Sequence, residues 1–142
     1  MIIKKLSFLK QPQDNYFVYL SGIMTNDKNF ISKFANATRI CRKKYGFIYI
    51  FNPYDIVTSV LKKEDIKNWF YCMEADIRVM KTIDKKQTIF LRIDSINKAR
   101  EVKSGMLIEN YIAAQNGFII CDLIDDIIIL SENNNQFLRG NK

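Results

Sequence analysis

Short apolar runs alternate along this chain with longer stretches whose apolar residues recur every three or four positions. The run YFVYLSG at 16–22 is aromatic and β-branched and ends on glycine, which predicts a buried strand feeding a turn. Asn26 or Asp27 can cap the next element. Phe30, Phe34, Ala37 and Cys41 then follow at spacings of four, three and four, one face of a helix that runs to about Tyr45 and stops at Gly46. FIYIF at 47–51 predicts a second strand, ended by Asn52-Pro53 because proline has no N–H for a central ladder. Residues 54–63 carry no clear period. From Glu64 a helical pattern returns through Ile66, Trp69, Phe70, Met73, Ile77 and Met80. QTIFLRI at 87–93 predicts the third strand, a helix opens at Ser104 and closes at Gly117, FIICDL at 118–123 predicts the fourth strand, and DIIIL at 126–130 is a candidate fifth.

Strands alternating with helices indicate an α/β protein. Their nearly continuous apolar runs indicate strands covered on both faces. The expected architecture is a single-domain, Rossmann-like or flavodoxin-like three-layer fold: a parallel sheet of four or five strands with helices on both faces. The domain would span 1–142, with its core at about 16–130 and a polar tail at 131–142. Such sheets bind ligands at the carboxyl ends of their strands. Ser21-Gly22, Asn52-Pro53 and the segment from Arg92 to Lys103 converge there. That last segment, about a dozen residues, reads as a loop longer than a crossover needs, which favours a functional role.

Composition narrows the chemistry. With 48% hydrophobic and 26% charged residues the chain can build a core. It contains no histidine, so carboxylates, tyrosine, lysine or cysteine must carry any reaction. Three scattered cysteines without histidine argue against a zinc site, and no metal or cofactor is expected. No apolar run has the length of a signal sequence or a membrane span, so a cytoplasmic protein without membrane partners is expected. The net charge of +7 permits phosphate-bearing partners without demanding them. The basic runs at 42–44, 61–63 and 84–87 are separate patches, and no recognition motif joins them, so nucleic acid is the least favoured partner. Phosphate-loop and dinucleotide fingerprints are missing too.

Glu109 stands out in SGMLIENYIAAQNG (104–117), where its neighbours are mostly apolar or small. With Ser104 as N-cap, residues 105, 109, 112, 113 and 116 share one helix face, and Glu109 leans back towards the strand ends. It is either a solvated helix residue or a placed reactive group. The helix dipole would favour its charged form, as a nucleophile needs. Tyr19 shares the parity of Phe17 and is either core or a hydroxyl at the ligand edge. Asp76 lies beside the apolar stripe of Met73, Ile77 and Met80, an unusual border for a carboxylate. Cys72 reads as packing.

VYLSGIM (18–24), FNP (51–53), YCMEADIRVM (71–80) and SGMLIENYIAA (104–114) resemble, in order and spacing, the nucleoside 2-deoxyribosyltransferase superfamily and its small, largely uncharacterised phage and bacterial branch. The pattern there is Tyr-x-Ser-Gly-Pro-Met, Asn-Pro, an Ala-Asp helix, and Gly-x-x-x-Glu-x-x-x-Ala. The resemblance covers roughly residues 16 to 123. It implies that Glu109 attacks the anomeric carbon to form a glycosyl ester, that Tyr19 orients it, and that Asp76 contacts substrate. It also implies that Ser21, Gly22 and Gly105 shape a pocket for the sugar or a 5′-phosphate. Met24, Asn52, Arg92, Lys103 and Ser104, which lie at or beside the strand ends, are expected as further substrate-binding positions. Homodimers or larger homo-oligomers are implied as well.

The chain departs from the pattern at Ile23, which replaces proline, and at Lys103, where the transferases carry a base-handling aspartate. Arg92-Ile93 replaces the branch's Gly-Trp. The sugar side of the site is thus partly retained and the base side altered. Lys103, Arg100 and Arg92 are either a cationic loop, suited to a nucleotide or phosphosugar, or ordinary surface charge. Two functions follow as expectations: an N-glycosidic transferase or hydrolase acting on a nucleoside or nucleotide, or a catalytically altered module that binds a nucleotide or phosphosugar.

Overall fold

The computed structural model describes residues 2–24, 27–55, 69–84 and 87–131. Asn26, the helix start at 64–68, the run at 61–63, part of that at 84–87 and the tail from 132 lie outside the described residues. The elements in order are β1 (Phe17–Ser21), α1 (Phe30–Lys43), β2 (Tyr49–Phe51), α2 (Trp69–Thr82), β3 (Thr88–Arg92), α3 (Ile96–Val102), α4 (Met106–Asn116), β4 (Ile119–Ile124) and β5 (Ile127–Leu130). Residues 53–55 add a helical turn after β2.

The strands form one sheet in the order β2-β1-β3-β4-β5, with β1 paired in parallel to both β2 and β3. Consecutive crossovers leave β1 in opposite directions, so a topological switch point falls between β1 and β3, where doubly wound sheets open a crevice. Strand alternation divides the core. Val18, Leu20, Ile89 and Leu91 face α1, through Phe34, Ala37, Ile40 and Cys41. Tyr19, Phe90 and Ile120 face the other way, towards Met80 of α2 and Ala113 of α4. Helices therefore cover both faces of the sheet, in three layers.

Three features depart from the sequence reading. First, β5 pairs with β4 antiparallel, so the sheet is mostly parallel, not wholly so. Only two residues separate the strands, too few for a parallel crossover. Asp125 and Asp126 both take positive φ, 50° and 63°, as a tight hairpin turn of the primed type requires. Second, the segment 92–103 is not an open loop. Ser95 accepts a hydrogen bond from Lys98 N at 3.1 Å and caps α3, which Lys103 ends in the left-handed region at φ 53°. Two turns around one buried residue, Ala99, give too short a pattern to read as a period. Third, the core extends N-terminal to residue 16. Leu6 is buried in it, the Lys4 N–H donates to Lys44 O at 2.8 Å, and the Gln13 side chain accepts from Leu6 N at 2.7 Å and also donates to Tyr45 O.

Asp126→Gly removes a side chain from a left-handed position, so it is expected to stabilise the fold by up to about 1 kcal/mol, whereas Asp126→Val destabilises it. Urea unfolding midpoints check both. A more stable valine variant would be incompatible with this turn.

Candidate functional site

The alternation of β1 that buries Val18 and Leu20 under α1 turns Tyr19 and Ser21 to the α2–α4 side. The Tyr19 ring lies stacked on Phe90, its register neighbour in β3, with centroids 5.7 Å apart. Above them runs α4. Its first turn begins at Gly105, with the Ser104 hydroxyl accepting the Met106 N–H at 3.2 Å. Four residues later Glu109 points inward and is only 4% exposed.

Gly105 matters for what it lacks. A Cβ there would lie 2.4 Å from Met73 Sδ, so glycine lets α2 and α4 touch. One turn after Met73, Asp76 comes to the same buried region and is 5% exposed. Its Oδ1 has no hydrogen-bond partner among the described residues.

The Glu109 carboxylate is held at both oxygens. The Tyr19 hydroxyl donates to Oε2, and the Ser21 hydroxyl donates to Oε1 at 2.9 Å. No cation pairs with Glu109 or Asp76 among the described residues. Burial pushes Glu109 up to about 7, against the pull of the Tyr19 and Ser21 hydrogen bonds. Burial, followed by repulsion from Glu109, lifts Asp76 to about 9. Burial and then the two carboxylates hold the Tyr19 hydroxyl well above its ordinary range, so it stays a donor. The order of ionisation follows. Glu109 gives up its proton first, because its anion is hydrogen-bonded, while Asp76 keeps its own. The helix dipole thus loses to desolvation at Glu109, contrary to the expectation from sequence.

The other positions named from sequence take different places. Arg92 pairs in register with Ser21 but turns to β4. Its guanidinium meets Asp122 at 2.7 and 2.9 Å, Asn110 at 3.1 Å and Ser131 at 2.8 Å. It does not join the Glu109 cluster or form a cationic loop with Lys103, which is exposed at the end of α3. Gly22 allows a close approach of β1 to β3, since a Cβ would sit 2.5 Å from Ile93. Met24 is half-buried against the α1-side core. Asn52 accepts the Tyr54 N–H at 3.0 Å and starts the helical turn after β2. Ser104 and Gly105 shape the start of α4 as described. Cys72 is half-buried, and burial and then Asp76 push its thiol up, away from nucleophilic use. No group of residues among those described could hold a metal ion.

Sequence reading placed Ser21 in the pocket wall but missed that it donates to Glu109. Its alternation with Tyr19 along β1 was the available signal. It also missed Asp122 and Asn110 as partners of Arg92, because that contact depends on the register of β4.

Two outcomes follow. In the unfolded chain Glu109 and Asp76 ionise near 4, so between that pH and their raised folded values the folded state binds more protons. Stability therefore falls as pH rises through this window. Asp76→Asn is expected to raise the melting temperature at pH 8 and to leave it nearly unchanged below pH 4, which thermal unfolding across pH would show. Arg92→Met strands a half-buried carboxylate and is expected to cost about 2 kcal/mol by urea unfolding. A neutral result there would free Arg92 for another role.

No protein-family model, curated protein or solved structure matches this chain.

Proposed function

We propose that this protein breaks an N-glycosidic bond of a nucleoside or nucleotide, by hydrolysis or 2-deoxyribosyl transfer, with Glu109 as the nucleophile. The observation that carries the reading is the buried Glu109 carboxylate, held by Tyr19 and Ser21 at the switch point of the sheet and placed near Asp76, whose Oδ1 has no hydrogen-bond partner among the described residues. The resemblance to the nucleoside 2-deoxyribosyltransferase superfamily supports it, because the same residues carry that likeness.

The chemistry needs two carboxyl groups in opposite states. Ionised Glu109 attacks the anomeric carbon. The bond to the base breaks, and its electron pair goes to the base nitrogen, which takes a proton. Asp76 is the group with a proton to give. The product is a free base and a sugar ester on Glu109. Water, or a second base, then attacks the anomeric carbon and releases Glu109, and the ionised Asp76 takes the proton back. Tyr19 and Ser21 hold the carboxylate in one orientation, so little reorganisation accompanies attack.

Arg92 is occupied by Asp122, so a preference for phosphorylated substrates would rest on Lys103 and Arg100, both exposed on or beside α3. A homo-oligomer goes with the resemblance. The outward face of α4, where Tyr111 is 65% exposed, offers apolar surface for it. No helix among the described residues is long and apolar enough to cross a membrane.

The test is to incubate the protein with deoxyribonucleosides, ribonucleosides and their monophosphates and to follow free base by chromatography. Release is expected to fall by more than about 10³-fold in Glu109→Gln and by about 10²–10⁴-fold in Asp76→Asn. The rate should rise as Glu109 ionises near 7 and fall as Asp76 ionises near 9, giving a bell-shaped profile. Release that persists in Glu109→Gln would remove Glu109 as nucleophile. Binding without release would instead assign the protein as a nucleotide- or phosphosugar-binding module.

A further inference from the structure

A second set of charges grips the chain immediately after Ser21. Asp94 lies just beyond β3, and its Oδ2 accepts the Ile23 N–H at 2.7 Å. The same oxygen meets Lys33 Nζ at 2.7 Å. Lys33 comes from the first turn of α1, on the opposite face of the sheet. It also donates to Ile23 O at 2.9 Å and to Asp27 Oδ2 at 2.6 Å. On the other side of Gly22, the Ile93 N–H donates to Ser21 O at 2.8 Å. Gly22 lies close against this pair, since a Cβ added there would be 3.0 Å from Asp94 Oδ2. Both backbone polar groups of Ile23 and the carbonyl of Ser21 are therefore fixed, and with them the direction of the Ser21 side chain.

Exposed ion pairs contribute little to stability. This one is largely withdrawn from water, with side chains 22% and 10% exposed, and it replaces ladder hydrogen bonds at the point where β1 leaves the sheet. We infer that Lys33 and Asp94 are positioning residues for Glu109, acting through Ser21, whose hydroxyl they hold against the Glu109 carboxylate. The inference rests on the proposed function for its purpose, since it deepens the account of that same carboxylate, but its test requires no turnover.

Among the described residues, the titratable and polar groups that act on Glu109 are Tyr19 and Ser21 from β1 and Asp76 from α2, with Cys72 in turn affected by Asp76; Arg92 on β3 is bound to Asp122. At Asp94, charge and positioning therefore predict opposite signs. Removing the negative charge of Asp94 would by itself make Glu109 easier to ionise. Losing the Ser21 hydrogen bond makes it harder.

The experiment labels glutamate carboxyl carbons with ¹³C and follows Glu109 by NMR through pH, its resonance assigned by its absence in Glu109→Gln. Ser21→Ala is expected to raise the titration midpoint. Asp94→Asn, which keeps the side chain's shape, is expected to raise it too, and to add little when combined with Ser21→Ala. Lys33→Met raises the midpoint and Lys33→Arg restores it. A midpoint that falls or stays put in Asp94→Asn overturns the inference, as does one unmoved by Ser21→Ala or by Lys33→Met. If these shifts appear and the wild-type protein releases no base from any substrate, the glycosidic reading fails and the positioning role stands.

Discussion

A carboxylate buried without a counter-charge is expensive, and most of the α2–α4 side of this protein can be understood as the means of keeping one there. Taking an ion out of water costs several kcal/mol unless hydrogen bonds replace its hydration. Glu109 receives one hydroxyl at each oxygen, from Tyr19 and Ser21. Those hydroxyls are available only because β1 alternates its faces at those positions and because α4 starts where it does. Gly105 lets α2 come close enough to bring Asp76 alongside. Ala113, one turn further along α4, is completely buried and keeps the helix close to the sheet.

The two faces of the sheet divide the labour. The α1 side is an almost wholly apolar core built from Val18, Leu20, Phe34, Ile89 and their neighbours. Apart from Lys33 at its edge, it supplies stability, and its buried Cys41 and Cys121 thiols are pushed up to about 12, where they are inert. The other side holds the polar groups. Arg92 and Asp122 form a satisfied pair across β3 and β4, while in the set of Tyr19, Glu109 and Asp76 one oxygen, Asp76 Oδ1, has no partner among the described residues. Such incomplete satisfaction weakens a fold, and it is where chemistry is usually found.

Elements with a long apolar pattern were legible from residues alone. β1, α1, β3 and α4 fall within a few residues of where their periodicity put them. α3 was hidden because seven residues with one buried side chain make no period. The direction of β5 was hidden for another reason: Asp125 and Asp126 had to be recognised as a two-residue turn with positive φ, and aspartate accepts that geometry without advertising it as glycine does. In the site, Glu109, Tyr19 and Asp76 could be named as candidates, yet their spacing left each with a plain structural explanation. Arg92 looked available for a ligand because its partner, Asp122, is brought beside it only by strand pairing.

By itself the sequence determined the α/β class, the carbon-rich core and the exclusion of histidine chemistry, since these follow from composition and from local periods of two and 3.6 residues. It also put a glutamate near the start of a helix that follows the third strand. The tertiary structure alone decided that this glutamate is buried, that two hydroxyls from a strand about ninety residues away hold it, and that a buried aspartate stands near it. The physical reason is range. Periodicity records which face of an element is apolar, whereas desolvation and hydrogen bonding depend on which other elements close over that face.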